Sequence, residues 1–205
     1  ETPAHDEPIS LSMVGSYGDL APISQAARTM RITRPHVSVF CCNSCSFVHG
    51  PAVDQQIRDA VAAGSGGLAI SVTSAQVEAL RTLGVSRVAV AGPYPFAVTA
   101  KLAEYLEGSG FRVTATRAKE FTSEWQIGNA DSTVWLDLAL QADSAEAEAV
   151  VVACSGIRVN DIVEEFESRQ GKPLVAAPAA VMWRALRLAG VATRIRDKGR
   201  LFSQY

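Results

Sequence analysis

AVVVACSG, residues 149–156, packs six small or apolar side chains in a row and then breaks into serine and glycine. The run is too short for a helix and has no polar alternate face, so it reads as a strand buried on both sides. Such strands belong to parallel sheets covered by helices on each face. The same rhythm recurs along the chain, with strands expected at Val37–Cys42, Gly67–Ser71, Val85–Gly92, Arg112–Arg117, Ala149–Cys154 and Pro173–Ala177. Amphipathic stretches alternate with them. Pro51–Ala63 carries Val53, Ile57 and Val61 at a spacing of four, with Pro51 at a favourable first position and Gly64 as its stop. Thr73–Leu83 opens on a threonine with Gln76 three residues on, a capping-box pattern, and ends at Gly84. Phe96–Leu106, Ser132–Gln141, Asn160–Arg169 and Ala179–Ala189 complete the helices. Strand and helix alternate throughout, which gives an α/β fold with right-handed crossovers.

The 205 residues suit one large domain or two small ones. A faint duplication favours the second arrangement. VFCCNSC at Cys42 and VVACSG at Cys154 are both valine-rich strands ending in cysteine and small polar residues, about half a chain apart. Two facing α/β lobes would bring both strand ends to one cleft, and in open α/β sheets ligands bind at the carboxyl ends of strands. The expected division is 1–84 plus about 185–205 for the first lobe and 85–184 for the second.

With 48% hydrophobic and 20% charged residues and a formal charge of −2, the composition is that of a globular protein without the basic face that nucleic acid requires. No apolar run reaches the roughly 20 residues that span a bilayer, and the N-terminus does not read as a signal peptide, so the expected setting is the cytoplasm with no membrane partner. Four cysteines are too few for a disulfide framework. They read as free thiols in a reducing compartment.

Three of the four cysteines fall in CCNSCSFVHG, residues 41–50. Adjacent strand residues point to opposite faces, so Cys42 is assigned to the cleft and Cys41 to the core. Cys42 stands ahead of Asn43-Ser44, and Cys154 precedes Ser155-Gly156 with a helix expected near Asn160 and Asp161. Backbone N–H groups in such places favour anions and therefore a thiolate. Other chemistries remain open on the residues alone. Cys42 and Cys45 form a C-x-x-C redox spacing, and Cys41 or Cys42, Cys45, His49 and Cys154 would be a zinc set lacking the usual second pair. Cys41 and Cys45 also suit plain packing. Tyr94, between Pro93 and Pro95 after the strand at Val85–Gly92, places a phenol where it would donate to a carboxylate or enolate oxygen. Thr73 and Ser74 also lie at a strand end, where helix capping alone accounts for them.

These motifs resemble those of the Asp/Glu racemase superfamily, in the branch of maleate cis-trans isomerases and arylmalonate decarboxylases. The matching pieces are CNSCSFVHG at 42–50, similar to that branch's Cys-Thr-Ser-Gly-Ser-Phe-Val-x-Gly, VTSAQVEALRTLGVSRVAVAGPY at 72–94, CSGIR at 154–158, and GKPLV with WRALRLAG within 171–190. The resemblance implies a cofactor-independent enzyme with no metal, two pseudosymmetric lobes and an active site between them. By position Cys42 would be the nucleophile and Cys154 the proton-handling thiol. Asn43, Ser44 and the amides of Ser155 and Gly156 would hold carboxylate oxygens, with Tyr94 supporting them. Thr73 is counted with this substrate-binding set. Decarboxylases of this kind carry glycine where Cys42 stands, so two thiols argue for isomerisation or racemisation of a small carboxylate or dicarboxylate. Decarboxylation is the second reading, and an idle carboxylate binder or a redox or metal protein using Cys42 and Cys45 the third. Asn43 replaces a threonine of the pattern, Cys45 a glycine, Thr99 an asparagine, and Pro178-Ala179 an Asn-Gln pair. Relatives also open with a strand and a Pro-Ser-Ser-Asn-Thr type loop not seen before Ile9, so a longer gene product is expected. By analogy a homo-oligomer, dimer or tetramer, is expected as well.

Overall fold

The computed structural model describes residues 7–159 and 161–205. Its elements follow the order α1 (Leu11–Ser16), α2 (Leu20–Met30), β1 (Val37–Phe40), α3 (Asn43–Val48), α4 (Gly50–Ser65), β2 (Leu68–Ser71) and α5 (Val72–Thr82). Then come β3 (Arg87–Gly92), α6 (Phe96–Gly108), β4 (Arg112–Ala118), α7 (Glu124–Asn129), α8 (Ser132–Ala142), β5 (Ala149–Val152), α9 (Val163–Gln170), β6 (Leu174–Ala176), α10 (Ala177–Leu188) and α11 (Arg200–Gln204). All six expected strands are present. The opening stretch forms β5, whose four residues have no exposed surface.

Two parallel sheets result. One has four strands in the order β4-β3-β5-β6, and the other pairs β1 with β2. Every neighbouring pair is parallel, so each crossover runs through at least one helix. The register fixes what stands side by side. Ala91 on β3 faces Val152 on β5, so the residues just past those strands, Tyr94 and Cys154, emerge together. Phe40 faces Ser71 in the other sheet, which puts Cys42 and Thr73 at its carboxyl edge.

The helices follow local signals with small corrections. α4 runs past Gly64 to Ser65 and ends on Gly66, whose φ of 77° suits a glycine stop. Gly64 serves the packing instead, because a Cβ there would lie 2.6 Å from the Ala27 Cβ and block α2 from α4. The capping box of α5 is made by Ser71 and Ser74. Thr73 and Gln76, read from sequence as that box, are released for another purpose. α9 opens at Val163, later than expected, and Asn160 lies outside the described residues.

Candidate active site

The carboxyl ends of β1, β3 and β5 converge, and direct hydrogen bonds tie them. The Cys154 N–H donates to Asn43 Oδ1 at 2.7 Å, and Ser155 Oγ donates to the Cys41 carbonyl at 2.6 Å. Cys154 adopts a φ of 82°, a region costing a non-glycine residue about 1–3 kcal/mol and commonly retained at functional sites. The Asn43 carboxamide is one contact that holds it there.

Asn43 is 2% exposed and its donors are also committed, Nδ2 to Thr73 Oγ1 at 2.9 Å and to Gln76 Oε1 at 3.1 Å. Gln76 in turn sends Nε2 to the carbonyls of Val152 at 3.0 Å and Val175 at 3.4 Å. Thr73 Oγ1 lies 2.6 Å from Ser46 Oγ and donates to the Asn43 carbonyl at 3.2 Å. This network has no exposed member and joins α3, α5, β5 and β6. The polar side-chain atoms of Asn43 and Thr73, expected from sequence to bind substrate, are bonded to protein here. Gln76, the hub, was read from sequence only as a helix cap.

Above this floor sit the two thiols, Tyr94 and Ser44. Cys42 is half-buried, with Sγ 3.8 Å from Ser44 Oγ. The neighbouring Cys45 thiol, helped by the Ser44 hydroxyl, lowers its pKa to about 7 against the cost of burial. Cys154 is driven the other way. Burial raises its pKa, and the neighbouring Cys42 charge adds to this, although the nearby Tyr94 hydroxyl and the Gly156 N–H, which donates to Sγ at 3.4 Å, both favour the thiolate. Burial raises the Tyr94 phenol too, so it remains a donor. At neutral pH the site therefore pairs a thiolate-forming Cys42 with a protonated Cys154.

Tyr94 is 5% exposed and its ring tilts against Phe47 at a centroid distance of 6.2 Å. The turn that carries it depends on Gly92, where a Cβ would lie 2.5 Å from Thr99 Oγ1. Thr99 Oγ1 also donates to the Tyr94 carbonyl at 3.3 Å.

The remaining expectations divide. Ser155 spends its hydroxyl on Cys41, while Gly156 is exposed and turns its N–H to the Cys154 sulfur. Cys41 is exposed, which corrects its assignment to the core. β1 ends at Phe40, so strand alternation no longer governs residue 41. Cys45 is fully buried. His49 Nε2 donates to the Gly15 carbonyl at 2.8 Å, and among the described residues no group of three or more His, Cys, Asp or Glu is arranged to hold a metal. One charge escaped the sequence reading. The Glu124 carboxylate, first in α7, raises the pKa of both Cys42 and Cys154. The signal available was the polar stretch 119–130, KEFTSEWQIGNA, which carries that glutamate. Two surface hollows, along α2 and beside β2, contain none of these groups.

Among the described residues no helix is long and apolar enough to cross a membrane. Comparison with known proteins matches residues 12–202 to the family model for arylmalonate decarboxylase. The chain is 31% identical over 164 residues to the arylmalonate decarboxylase of Bordetella bronchiseptica, covering 78% of this chain and 68% of that protein. It is 30% identical over 176 residues to the maleate isomerase of Nocardia farcinica, covering 83% and 70% respectively. A solved structure of the Nocardia farcinica maleate cis-trans isomerase, a cysteine-to-serine variant with a covalently bound succinylcysteine intermediate, superposes with a TM-score of 0.89 at 26% identity, over 97% of this chain and 82% of that one.

Proposed function

The chain belongs to the arylmalonate decarboxylase family, and we propose that within it this protein is a two-thiol isomerase of a small unsaturated dicarboxylate of the maleate type, working without a cofactor. The observation that carries this reading is that the strand ends bearing Cys42 and Cys154 are bonded to each other, Cys154 N–H to Asn43 and Ser155 to Cys41; neighbours favour the thiolate at Cys42 and burial the thiol at Cys154. A single proton donor suffices for decarboxylation. A nucleophile and an acid together suit reversible addition to a double bond.

In the proposed reaction the Cys42 sulfur bonds to one alkene carbon as the π bond opens. The electron pair moves to the other carbon, which takes the proton from Cys154. The former double bond is now single and turns. Cys154, as thiolate, withdraws the proton, the pair re-forms the π bond in the trans arrangement, and Cys42 leaves as thiolate. No atom or electron is gained or lost over the cycle. Tyr94, near Cys154, stabilises that sulfur while it is charged, and Ser44 orients Cys42. Racemisation would use the same pair by proton transfer on two faces of a carbon.

The test is proton NMR in D2O with maleate, aspartate, glutamate and an aryl malonate as substrates, for the wild type, Cys42→Ala and Cys154→Ala. Isomerisation of maleate lost by roughly 10³-fold or more in each variant supports the proposal, given the usual weight of a nucleophile or general acid. Decarboxylation of the aryl malonate that survives in Cys42→Ala and needs only Cys154 replaces it with the decarboxylase reading.

A further inference from the structure

Beside β2 a hollow of about 310 Å³ opens among α4, α5, α6 and α10, a size that suits a small organic ligand. Its α5 wall is the line Ser74, Val77, Glu78 and Arg81, at the three- and four-residue spacing of one helix face. Thr73 and Gln76, which hold the floor beneath the thiols, lie on the neighbouring face, so the hollow is separate from the catalytic groups. Three guanidiniums reach it from three helices: Arg58 of α4, Arg81 of α5 and Arg184 of α10. Two carboxylates answer them. Arg58 Nε donates to the buried Asp54 Oδ2 at 3.2 Å, and Glu78 is shared by the other two, with Arg81 Nη1 at 3.2 Å and Arg184 Nη2 at 3.8 Å. The last distance is too long for a hydrogen bond. Among the described residues Arg184 makes no hydrogen bond, although its side chain is only 30% exposed and a guanidinium carries five N–H donors. Leu68, 52% exposed, and Leu188 supply apolar lining.

We propose that this hollow is a second binding site, for a small organic oxyanion: a carboxylate or phosphate on an apolar body. The planar fork of Arg184, whose donors are uncommitted, matches two oxygens of such a group, and Arg81 and Arg58 add positive charge. Leu68 and Leu188 take the apolar body, whose burial contributes in proportion to the area covered. Glu78 opposes the anion, so its removal should strengthen binding. The site stands whether or not the isomerase reading does, because it shares no residue with the thiol centre.

The test is proton–nitrogen correlation NMR of the folded full chain, titrated with phenylacetate, phenyl phosphate and inorganic phosphate. It uses the wild type, Arg184→Gln and Glu78→Gln, each checked by circular dichroism. Amide signals of residues 68–70, 184 and 188 should move with at least one phenyl compound, and the tighter of the two identifies the oxyanion. Phenyl phosphate should bind about tenfold more tightly than inorganic phosphate, from the apolar area it covers. Arg184→Gln should weaken binding about tenfold or more, the weight of one charge-assisted hydrogen bond. Glu78→Gln, which removes a partly exposed opposing charge, should tighten it about threefold. Shifts confined to residues 42–44 and 154–156 would put the probes in the thiol centre and overturn the proposal. So would no shift at all, affinity unchanged in folded Arg184→Gln, affinity weakened in Glu78→Gln, or inorganic phosphate binding as tightly as phenyl phosphate.

Discussion

Asn43 shows how much a single side chain can settle. Its Oδ1 accepts from the strained Cys154 backbone while its Nδ2 hydrogens bind Thr73 and Gln76, so Asn43→Ala takes the partner from the Cys154 N–H and from Gln76 Oε1, while Thr73 keeps Ser46 and the residue-43 carbonyl. We expect a loss of about 2–4 kcal/mol in a urea melt, from one or two unsatisfied groups at 1–3 kcal/mol each. The rate constant kcat should fall further than KM rises, because Cys154 is misplaced and substrate groups are not removed. The pH–rate profile belongs to this scale too. In the proposed reaction Cys42 acts as a thiolate, so kcat/KM should be lost as pH falls through about 7, to which its surroundings lower the thiol. Cys154 must hold its proton, and its pKa is raised, so the alkaline loss should come above the ordinary thiol value of 9.0. Glu124 raises both thiols, and Glu124→Gln should therefore move both limbs to lower pH. An unmoved profile would mean that the carboxylate does not act on the sulfurs.

Elements decide which sequence signals were readable. β3, β5 and β6 were legible because residues apolar on both faces have few other places to go, and all three are buried. The convergence of Cys42 and Cys154 was legible from two strands that end alike. The Asn43–Gln76–Thr73 network was not, since its members bond across about 30 or more positions on four elements and only the packed fold brings them together. The α5 cap was misplaced by two residues because Thr73 with Gln76 and Ser71 with Ser74 fit the same local pattern, and burial chose between them. α2 was missed although Leu20, Ile23, Ala27 and Met30 fall at helical spacing; Ala27 is its only buried residue. The β3–α6 turn gives a direct test of element packing. Gly92→Ala forces a Cβ to within 2.5 Å of Thr99 Oγ1 and should cost about 1–3 kcal/mol while displacing Tyr94. Adding Thr99→Ala should recover part of that loss, giving a coupling energy in a double-mutant cycle on thermal unfolding. Strict additivity would show that the two side chains do not press on each other.

At the scale of the whole molecule, the two sheets form one functional unit because their carboxyl ends are bonded to each other. Cys154 N–H to Asn43, Ser155 to Cys41, and Gln76 to Val152 and Val175 bridge the strands that bear the thiols. In the proposed mechanism one sulfur comes from each end, Cys42 as thiolate and Cys154 as thiol. Trapping the covalent intermediate tests that claim most directly. Cys154→Ala, incubated with maleate and digested for peptide mass mapping, should carry one added maleate mass on the peptide containing Cys42, and the adduct should vanish when Cys42→Ala is combined with it. An unmodified Cys42 in a protein whose wild type isomerises maleate, or full turnover by either single-thiol variant, would contradict the account.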